Sequence, residues 1–247
     1  MTNALRVGRT IVFMVGAGSL ALFASILTWI THPVDTGDRM FAAILRLLAR
    51  IWLGLAGADV EIESAVPLEQ LFSRPVLLAG NHQSTLDIPL LAHAMGGRIR
   101  FFAKRSLFNI PVFGWAMSLK GFTPIDRASA RRTRPSLDAA IERMRAGVAT
   151  FVVFPEGTRS MNGAMGPYRH GTFSLARRAG IPVVPFALDG TGHVMPKGAW
   201  GTTPGRVRLR IGPPIEAATV AALSVDDLMV RARTYTEETL ATLRRAG

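Results

Sequence analysis

Two short polar segments hold the side chains of this sequence best suited to chemistry: Asn-His-Gln-Ser-Thr-Leu-Asp at residues 81–87 and Phe-Pro-Glu-Gly-Thr-Arg-Ser at residues 154–160. Each follows an apolar run, Val76-Leu77-Leu78-Ala79-Gly80 before the first and Thr150-Phe151-Val152-Val153 before the second. Apolar strands that end abruptly in polar, Gly/Pro-punctuated residues are how an α/β sheet presents reactive groups at its carboxyl edge. The first segment offers His82 and Asp87, a base and an acid to orient it. The second offers Glu156, Gly157, Thr158 and Arg159. A base beside an anion receptor suits an alcohol nucleophile carried on a phosphorylated molecule.

His82 and Asp87 are five residues apart, which on one continuous helix turns them about 140° away from each other. They meet only if His82 lies on the loop leaving a strand and Asp87 in the first turn of the next helix, with Ser84 or Thr85 placed to cap that helix. Asp87 then accepts from one imidazole nitrogen and leaves the other free as a base. A lone histidine is more often structural, but the strand-to-helix setting and the whole segment favour catalysis here. His32, His93, His170 and His193 have no comparable partner spacing. Ser84 offers a hydrolase alternative as nucleophile. No G-x-S-x-G elbow surrounds it, and a serine two residues from its base is poorly placed, so it ranks lower.

In the second segment Arg159 is a planar, permanently charged fork that matches phosphate oxygens. Gly157 permits a positive φ or a close backbone approach. Glu156 either holds a substrate hydroxyl or fixes Arg159; the plainer alternative is a Glu–Arg pair that stabilises a loop. Lys104 and Arg127 are cations able to face phosphate or a developing oxyanion. Each is otherwise a surface charge, and Arg127 a partner for Asp126. Phe101, Phe102, Phe108, Phe113 and Trp115 line an apolar channel or pack in the core.

From about Val60 strand-like and helix-like stretches alternate. Strands are expected at 76–79, 99–103, 122–125, 151–154, 183–188 and 207–211, and helices near 86–95, 135–145, 172–179 and 226–244. Ser224-Val225-Asp226-Asp227 opens the last helix like a capping box. Pro135 suits a first helical turn and Gly147 the stop after Arg145. This alternation predicts an α/β fold with a mixed, largely parallel sheet covered by helices.

Composition narrows the setting. The 247 residues suffice for one α/β domain plus an accessory segment. Hydrophobic residues make up 49% and the mean hydropathy is +0.26, rich for a protein without membrane contact. Net charge is +12 and comes mostly from arginine, since Lys104, Lys120 and Lys197 are the only lysines. Such a surplus favours anionic headgroups or phosphorylated substrates. Nucleic acid is not favoured, because the arginines are scattered and no zinc spacing or RNP-type aromatic motif accompanies them. Zero cysteines exclude disulfides, thiolate metal sites and a cysteine acyl-enzyme.

Residues 10–30 carry no charge and follow Arg6 and Arg9. As a helix they span about 31 Å, close to the roughly 30 Å of a hydrocarbon core. The stretch is too long for a signal-peptide core and lacks a small-x-small cleavage pattern, so it is expected to be a helical membrane anchor. Residues 40–55 are apolar around most of a helix, yet Arg39, Arg46 and Arg50 recur on one face at steps of seven and four. Spanning would strand each guanidinium at about 2.5–3.5 kcal/mol, so an interfacial helix is expected, with Phe41, Leu45, Leu48 and Trp52 dipping into lipid. A core helix with a solvated stripe is the alternative. The expected division is an anchor and interfacial helix at 1–57 and a catalytic domain at 58–247. Pro33 and Gly37 suit a bend that returns the chain through one leaflet, which keeps the active site on the cytosolic side of the inner membrane.

The His-x4-Asp of His82 and Asp87, followed by Phe-Pro-Glu-Gly-Thr-Arg at residues 154–159, resembles the hallmark of the glycerolipid acyltransferases of the 1-acylglycerol-3-phosphate acyltransferase (PlsC-like) type. The resemblance continues through residues 103–117, 121–127 and 177–188. It implies that His82 and Asp87 are catalytic and that Glu156, Gly157, Thr158 and Arg159 bind glycerol phosphate. It also implies transfer of an acyl group from acyl-CoA or acyl carrier protein to a lysophospholipid, with no metal or cofactor. One departure stands out: His170-Gly171 replaces the Lys-Gly common in the family, and Arg169 can supply that cation from one residue earlier. The expected acceptor is 1-acylglycerol-3-phosphate, giving phosphatidic acid. Alternatives are a lyso-ornithine lipid or lysophosphatidylglycerol as acceptor, a Ser84-dependent thioesterase, or a non-catalytic lipid-binding protein.

Overall fold

The computed structural model describes residues 3–245 except 36, 127, 128, 148, 149 and 200, and leaves out the side chains of 3–10, 12 and 130. Arg127 therefore lies outside the described residues. The chain opens with helices α1 (Asn3–Thr31) and α2 (Arg39–Ala56), then β1 (Ala58–Ser64), a short α3 (Leu68–Leu71), β2 (Leu77–Gly80) and α4 (Asp87–Met95). β3 (Ile99–Lys104), α5 (Phe113–Leu119), β4 (Thr123–Ile125), α6 (Ala130–Arg145) and β5 (Thr150–Val153) follow. The remainder is α7 (His170–Ala179), β6 (Val183–Asp189), α8 (Thr191–Val194), β7 (Gly205–Ile211), α9 (Ala217–Ala222) and α10 (Val225–Arg245).

The strands form one sheet in the order β1-β7-β6-β2-β5-β3-β4. Neighbours are parallel except β6 and β7, which run antiparallel. The expected mixed, largely parallel sheet is what forms. Alternation divides its side chains between two helical layers. On β2, Leu78 packs with α1, α2 and α4, while Leu77 and Ala79 face α6, α7 and α10. The central strands are buried on both faces, which is why they read as continuous apolar runs.

β1 carries no apolar run because it is an edge strand. Its Ala-Asp-Val-Glu-Ile-Glu-Ser alternates intermediate and exposed positions. α6 starts earlier than Pro135 suggests. Ser129 accepts the Arg132 N–H and sets the start, so Pro135 lies inside the helix. Ser224 caps α10 as expected, accepting the Asp227 N–H at 3.0 Å.

α1 contains a 19-residue stretch, Phe13–Thr31, long and apolar enough to cross a membrane by length and composition. One stripe of it faces protein. Phe13, Ala17, Ser25, Thr28 and Thr31 are buried at helical spacing, against α2 and α5. α2 corrects the sequence expectation. Phe41, Leu48 and Leu53 are buried in protein, and Trp52 packs against the same core, so these residues do not dip into lipid. The exposed apolar residues of α2 are Met40, Leu47 and Ile51.

The turn between the two helices is held by a buried ion cluster. The Asp35 carboxylate accepts the N–H groups of Met40 and Phe41 at 2.8 and 3.0 Å, satisfying donors at the start of α2. Lys120, just past α5, reaches Asp35 at 3.1 Å and Asp38 at 2.7 Å, and Arg100 on β3 also pairs with Asp38. The Arg100 and Lys120 cations sit over the Phe41 ring at 5.3 and 5.0 Å.

Candidate active site

His82 lies on the loop leaving β2, and Asp87 is the first residue of α4, the arrangement their spacing requires. His82 Nδ1 is 2.7 Å from Asp87 Oδ2. That oxygen also accepts the N–H groups of Gln83 at 2.7 Å and Ser84 at 2.9 Å. Thr191, at the start of α8, donates its hydroxyl to Asp87 Oδ1 at 2.5 Å. A carboxylate met by backbone donors is the acceptor, so Nδ1–H donates to it and Nε2 remains the basic nitrogen. Asp87 is fully buried, while the His82 side chain is 14% exposed, so the imidazole keeps an open edge.

Stacking fixes the ring as well. Phe154 lies on the imidazole with centroids 3.9 Å apart and planes 11° from parallel, and Phe186 meets Phe154 edge-on at 6.0 Å. The two motifs are joined through the backbone. His82 N–H donates to Glu156 Oε1 at 2.8 Å, and Ser160 N–H donates to the His82 carbonyl at 2.8 Å. Asn81 anchors the first motif to the sheet, exchanging two 2.8 Å hydrogen bonds with the Leu188 backbone on β6.

The expected ligand-binding residues separate in the structure. Arg159 reaches back to the first motif, donating to Thr85 Oγ1 at 2.6 Å. It also lines a cavity of about 450 Å³ whose other walls are Phe13, Met14 and Ala17 of α1, Trp52 of α2, and Met195. Glu156 departs from both sequence alternatives. Its second oxygen accepts the Gly166 N–H at 2.8 Å, so each oxygen is engaged by backbone and the side chain acts as a strut. Burial raises the Glu156 carboxyl above its ordinary 4.5, against the Gly166 and His82 N–H groups that lower it.

Gly157 has φ +71, and a Cβ there would come within 2.8 Å of the Arg169 guanidinium. Arg169 thus lies against the Glu-Gly-Thr-Arg loop. His170 faces away instead, 3.7 Å from Asp226. Thr158 is exposed and accepts from Lys197 Nζ at 3.2 Å.

Two expectations are corrected, and the low ranking of Ser84 as a nucleophile agrees with its setting. Ser84 is fully buried, donates to the Met195 carbonyl at 2.7 Å and accepts the Leu86 N–H at 3.1 Å, which leaves it no nucleophilic role. Neither Ser84 nor Thr85 caps α4, whose N-cap is Leu86. Lys104 is exposed at the end of β3, where alternation places it with Phe102 on the α6 and α7 face. Phe154, and with it His82, belongs to the opposite face. Of the aromatic residues, Phe101 stacks on Phe122 and Phe102 packs on Phe151 in the core, and Trp115 is 60% exposed.

Thr191, Phe154, Asn81 and Lys197 were not singled out from sequence. Asn81 and Phe154 lie inside the two motifs without a role of their own, Lys197 stands out as one of three lysines in an arginine-rich chain, and Thr191 carries no signal. The Lys197 ammonium holds Thr158 and also the Arg159 carbonyl, at 3.0 Å.

A mixed sheet with an acid-oriented histidine at its carboxyl edge and an arginine beside an apolar cavity describes an acyl-transfer fold. The model of the Acyltransferase family matches residues 59–189, and the chain belongs to that family. A chloroplastic 1-acyl-sn-glycerol-3-phosphate acyltransferase of Brassica napus is 37% identical over 211 residues, 84% of this chain and 61% of that protein. A second plant relative, from Arabidopsis thaliana, is matched over 60% of its length, so the chain spans about three fifths of these relatives. The 1-acyl-sn-glycerol-3-phosphate acyltransferase of Pseudomonas aeruginosa is 29% identical and is matched over 90% of its length and 94% of this chain. The crystal structure of PlsC, the 1-acyl-sn-glycerophosphate acyltransferase of Thermotoga maritima, superposes with a TM-score of 0.83 at 26% identity, covering 99% of this chain and 98% of that one.

Proposed function

We propose that this protein acylates the free hydroxyl of 1-acylglycerol-3-phosphate with a fatty acyl group from acyl-CoA or acyl carrier protein, forming phosphatidic acid. His82 Nε2 takes the hydroxyl proton as that oxygen attacks the thioester carbonyl. Collapse of the tetrahedral adduct breaks the carbon–sulfur bond, and the thiolate leaves with the proton from His82. Asp87 keeps the imidazole in the right tautomer and steadies its transient charge. Arg159, with Arg169 nearby, receives the acceptor phosphate, and the apolar wall of Phe13, Met14 and Ala17 suits the chain of an amphiphile.

The observation that carries this reading is the joining of the two motifs. His82, oriented by a buried Asp87, shares its loop with Thr85, which Arg159 binds, and Thr85 and Arg159 together line a cavity with one cationic end and apolar walls. The names of the relatives in Brassica napus and Pseudomonas aeruginosa support the choice of acceptor.

The exposed side of α1 is apolar, with Val15, Phe23, Trp29 and Ile30 each at least 59% exposed. Its other side is packed on α2 and α5 from Phe13 to Thr31, so a bilayer crossed by α1 would have to enclose those helices too. The reading that follows is a helix laid into one leaflet, with the active site open to cytosolic thioesters at the inner membrane. An acceptor panel read by lipid mass spectrometry with both donors tests the function. The expected product is phosphatidic acid, with acceptor KM raised about tenfold or more in Arg159→Lys and donor KM held, because the ammonium keeps the charge but loses the fork. Thioester cleavage without an acceptor, or equal changes in both KM values, would overturn it.

A further inference from the structure

The amino ends of the central strands, at the sheet edge away from His82, border a second cavity of about 530 Å³. Arg39, Arg46, Arg74, Arg98 and Arg100 line it, with Asp38 as its carboxylate. Two of these cations are already committed. Arg74 grips both oxygens of Glu216, at 2.7 and 2.5 Å, and Arg100 binds Asp38 and the backbone carbonyls of Gly97, Ile99 and Lys120. Asp38 is shared between Arg100 and Lys120. Arg39, Arg46 and Arg98 are exposed and have no carboxylate partner among the described residues.

Close packing brings these three together. A Cβ on Gly97 would fall 2.7 Å from the Ala42 nitrogen, so the bare backbone lets α2 close onto the turn Gly96–Arg98. The Arg46 guanidinium then lies over Gly96, within 2.8 Å of where a Cβ would stand. Cations that line one cavity add their potentials there, and an anion seated among them would relieve their mutual repulsion.

The surroundings indicate which anion. On α2 the line of Arg39, Arg46 and Arg50 runs beside a line of exposed apolar residues, Met40, Leu47 and Ile51, at 44, 59 and 39% exposure. Leu55, further round the helix, packs on Gly16 of α1. The exposed apolar strip of α2 is therefore flanked by α1 on one side and by the arginine line on the other. A phosphate in the cavity would leave attached hydrocarbon chains against Met40, Leu47 and Ile51.

We propose that this cavity holds the phosphate of an anionic membrane lipid, as a headgroup site separate from the acceptor site at Arg159. The proposal rests on the reading that the apolar face of α1 and α2 meets a bilayer. Vesicle flotation with phosphatidylcholine alone, and with phosphatidylglycerol added, separates the two claims. The unmodified protein is expected to bind both and to prefer the anionic vesicles. R39Q/R46Q/R98Q should keep neutral-vesicle binding and acyl transfer in detergent, which also shows it folded. It should lose anionic affinity by roughly fivefold per guanidinium, about a hundredfold for the triple. R131Q/R134Q/R177Q removes equal charge from α6 and α7, on the opposite face of the sheet, and should retain the preference. Equal loss in both triples, or no loss in the first, would overturn the site. Displacement of anionic vesicles by inorganic phosphate at matched ionic strength would reassign it to a soluble anion and sink the lipid assignment. Failure of the unmodified protein to bind either vesicle would instead refute the bilayer reading on which the proposal stands.

Discussion

The Glu156 carboxylate sits between two backbone N–H groups, one on His82 and one on Gly166, and this gives it a role a substrate-binding acid would not have. Glu156→Gln replaces one acceptor with an NH2 group and sets two donors against each other. The expected loss is about 1–3 kcal/mol of stability, with kcat lowered through displacement of His82 and the acceptor KM unchanged. Thermal unfolding and initial rates check this together. A raised acceptor KM at normal stability would return Glu156 to the substrate. The pairing of His82 with Asp87 was legible because both residues had to flank a strand-to-helix loop. The Thr191 hydroxyl on Asp87 was not legible, since it arrives from a separate strand end 104 residues later and one threonine among many carries no mark. Phe154 was hidden for a similar reason: its apolarity reads as strand, and its stacking on His82 depends on the sheet order β2-β5.

The two amino-terminal helices depend on the turn between them, and that turn depends on Lys120. Asp35 and Lys120 are each 1% exposed in their side chains. Burial works to raise the Asp35 carboxyl, but the Met40 and Phe41 N–H groups and Lys120 outweigh it and hold it below its ordinary 3.8. A depressed carboxyl contributes stability that is present above pH 3.8 and lost as the pH falls through the lower folded value. Lys120→Met leaves that carboxylate without its cation. The expected cost is about 3 kcal/mol, at the low end for a broken buried pair because two backbone donors remain. Denaturant melts at pH 7 measure it, and a loss below about 0.5 kcal/mol would show the cluster to be a solvated surface pair. From sequence, the arginine stripe on α2 was correct and its apolar side was misassigned. Phe41, Leu48 and Trp52 suit lipid and protein interior equally, and only tertiary packing, such as Phe41 against Phe122 and Trp52 against Phe13 of α1, decides between them.

Across the whole molecule, the base and the exposed apolar side of α1 lie on one side of the sheet. α1, α2 and α4 cover the face where His82 stacks on Phe154, and Phe13 of α1 belongs to the same core as Leu78 of β2. The apolar cavity beside Arg159 is walled by the very helix whose outer side is exposed and apolar. The alternating order of strands and helices was readable because the central strands are buried on both faces. The edge strand β1 and the packing of α1 against α5 were not, since neither leaves a local pattern. The most direct measurement is the initial rate of phosphatidic acid formation by purified His82→Ala, with 1-acylglycerol-3-phosphate and an acyl thioester, alongside its thermal melt. Loss of the base predicts a fall in kcat of about 10²- to 10⁴-fold in a variant that still melts cooperatively. Near-normal turnover in that folded variant would contradict the account.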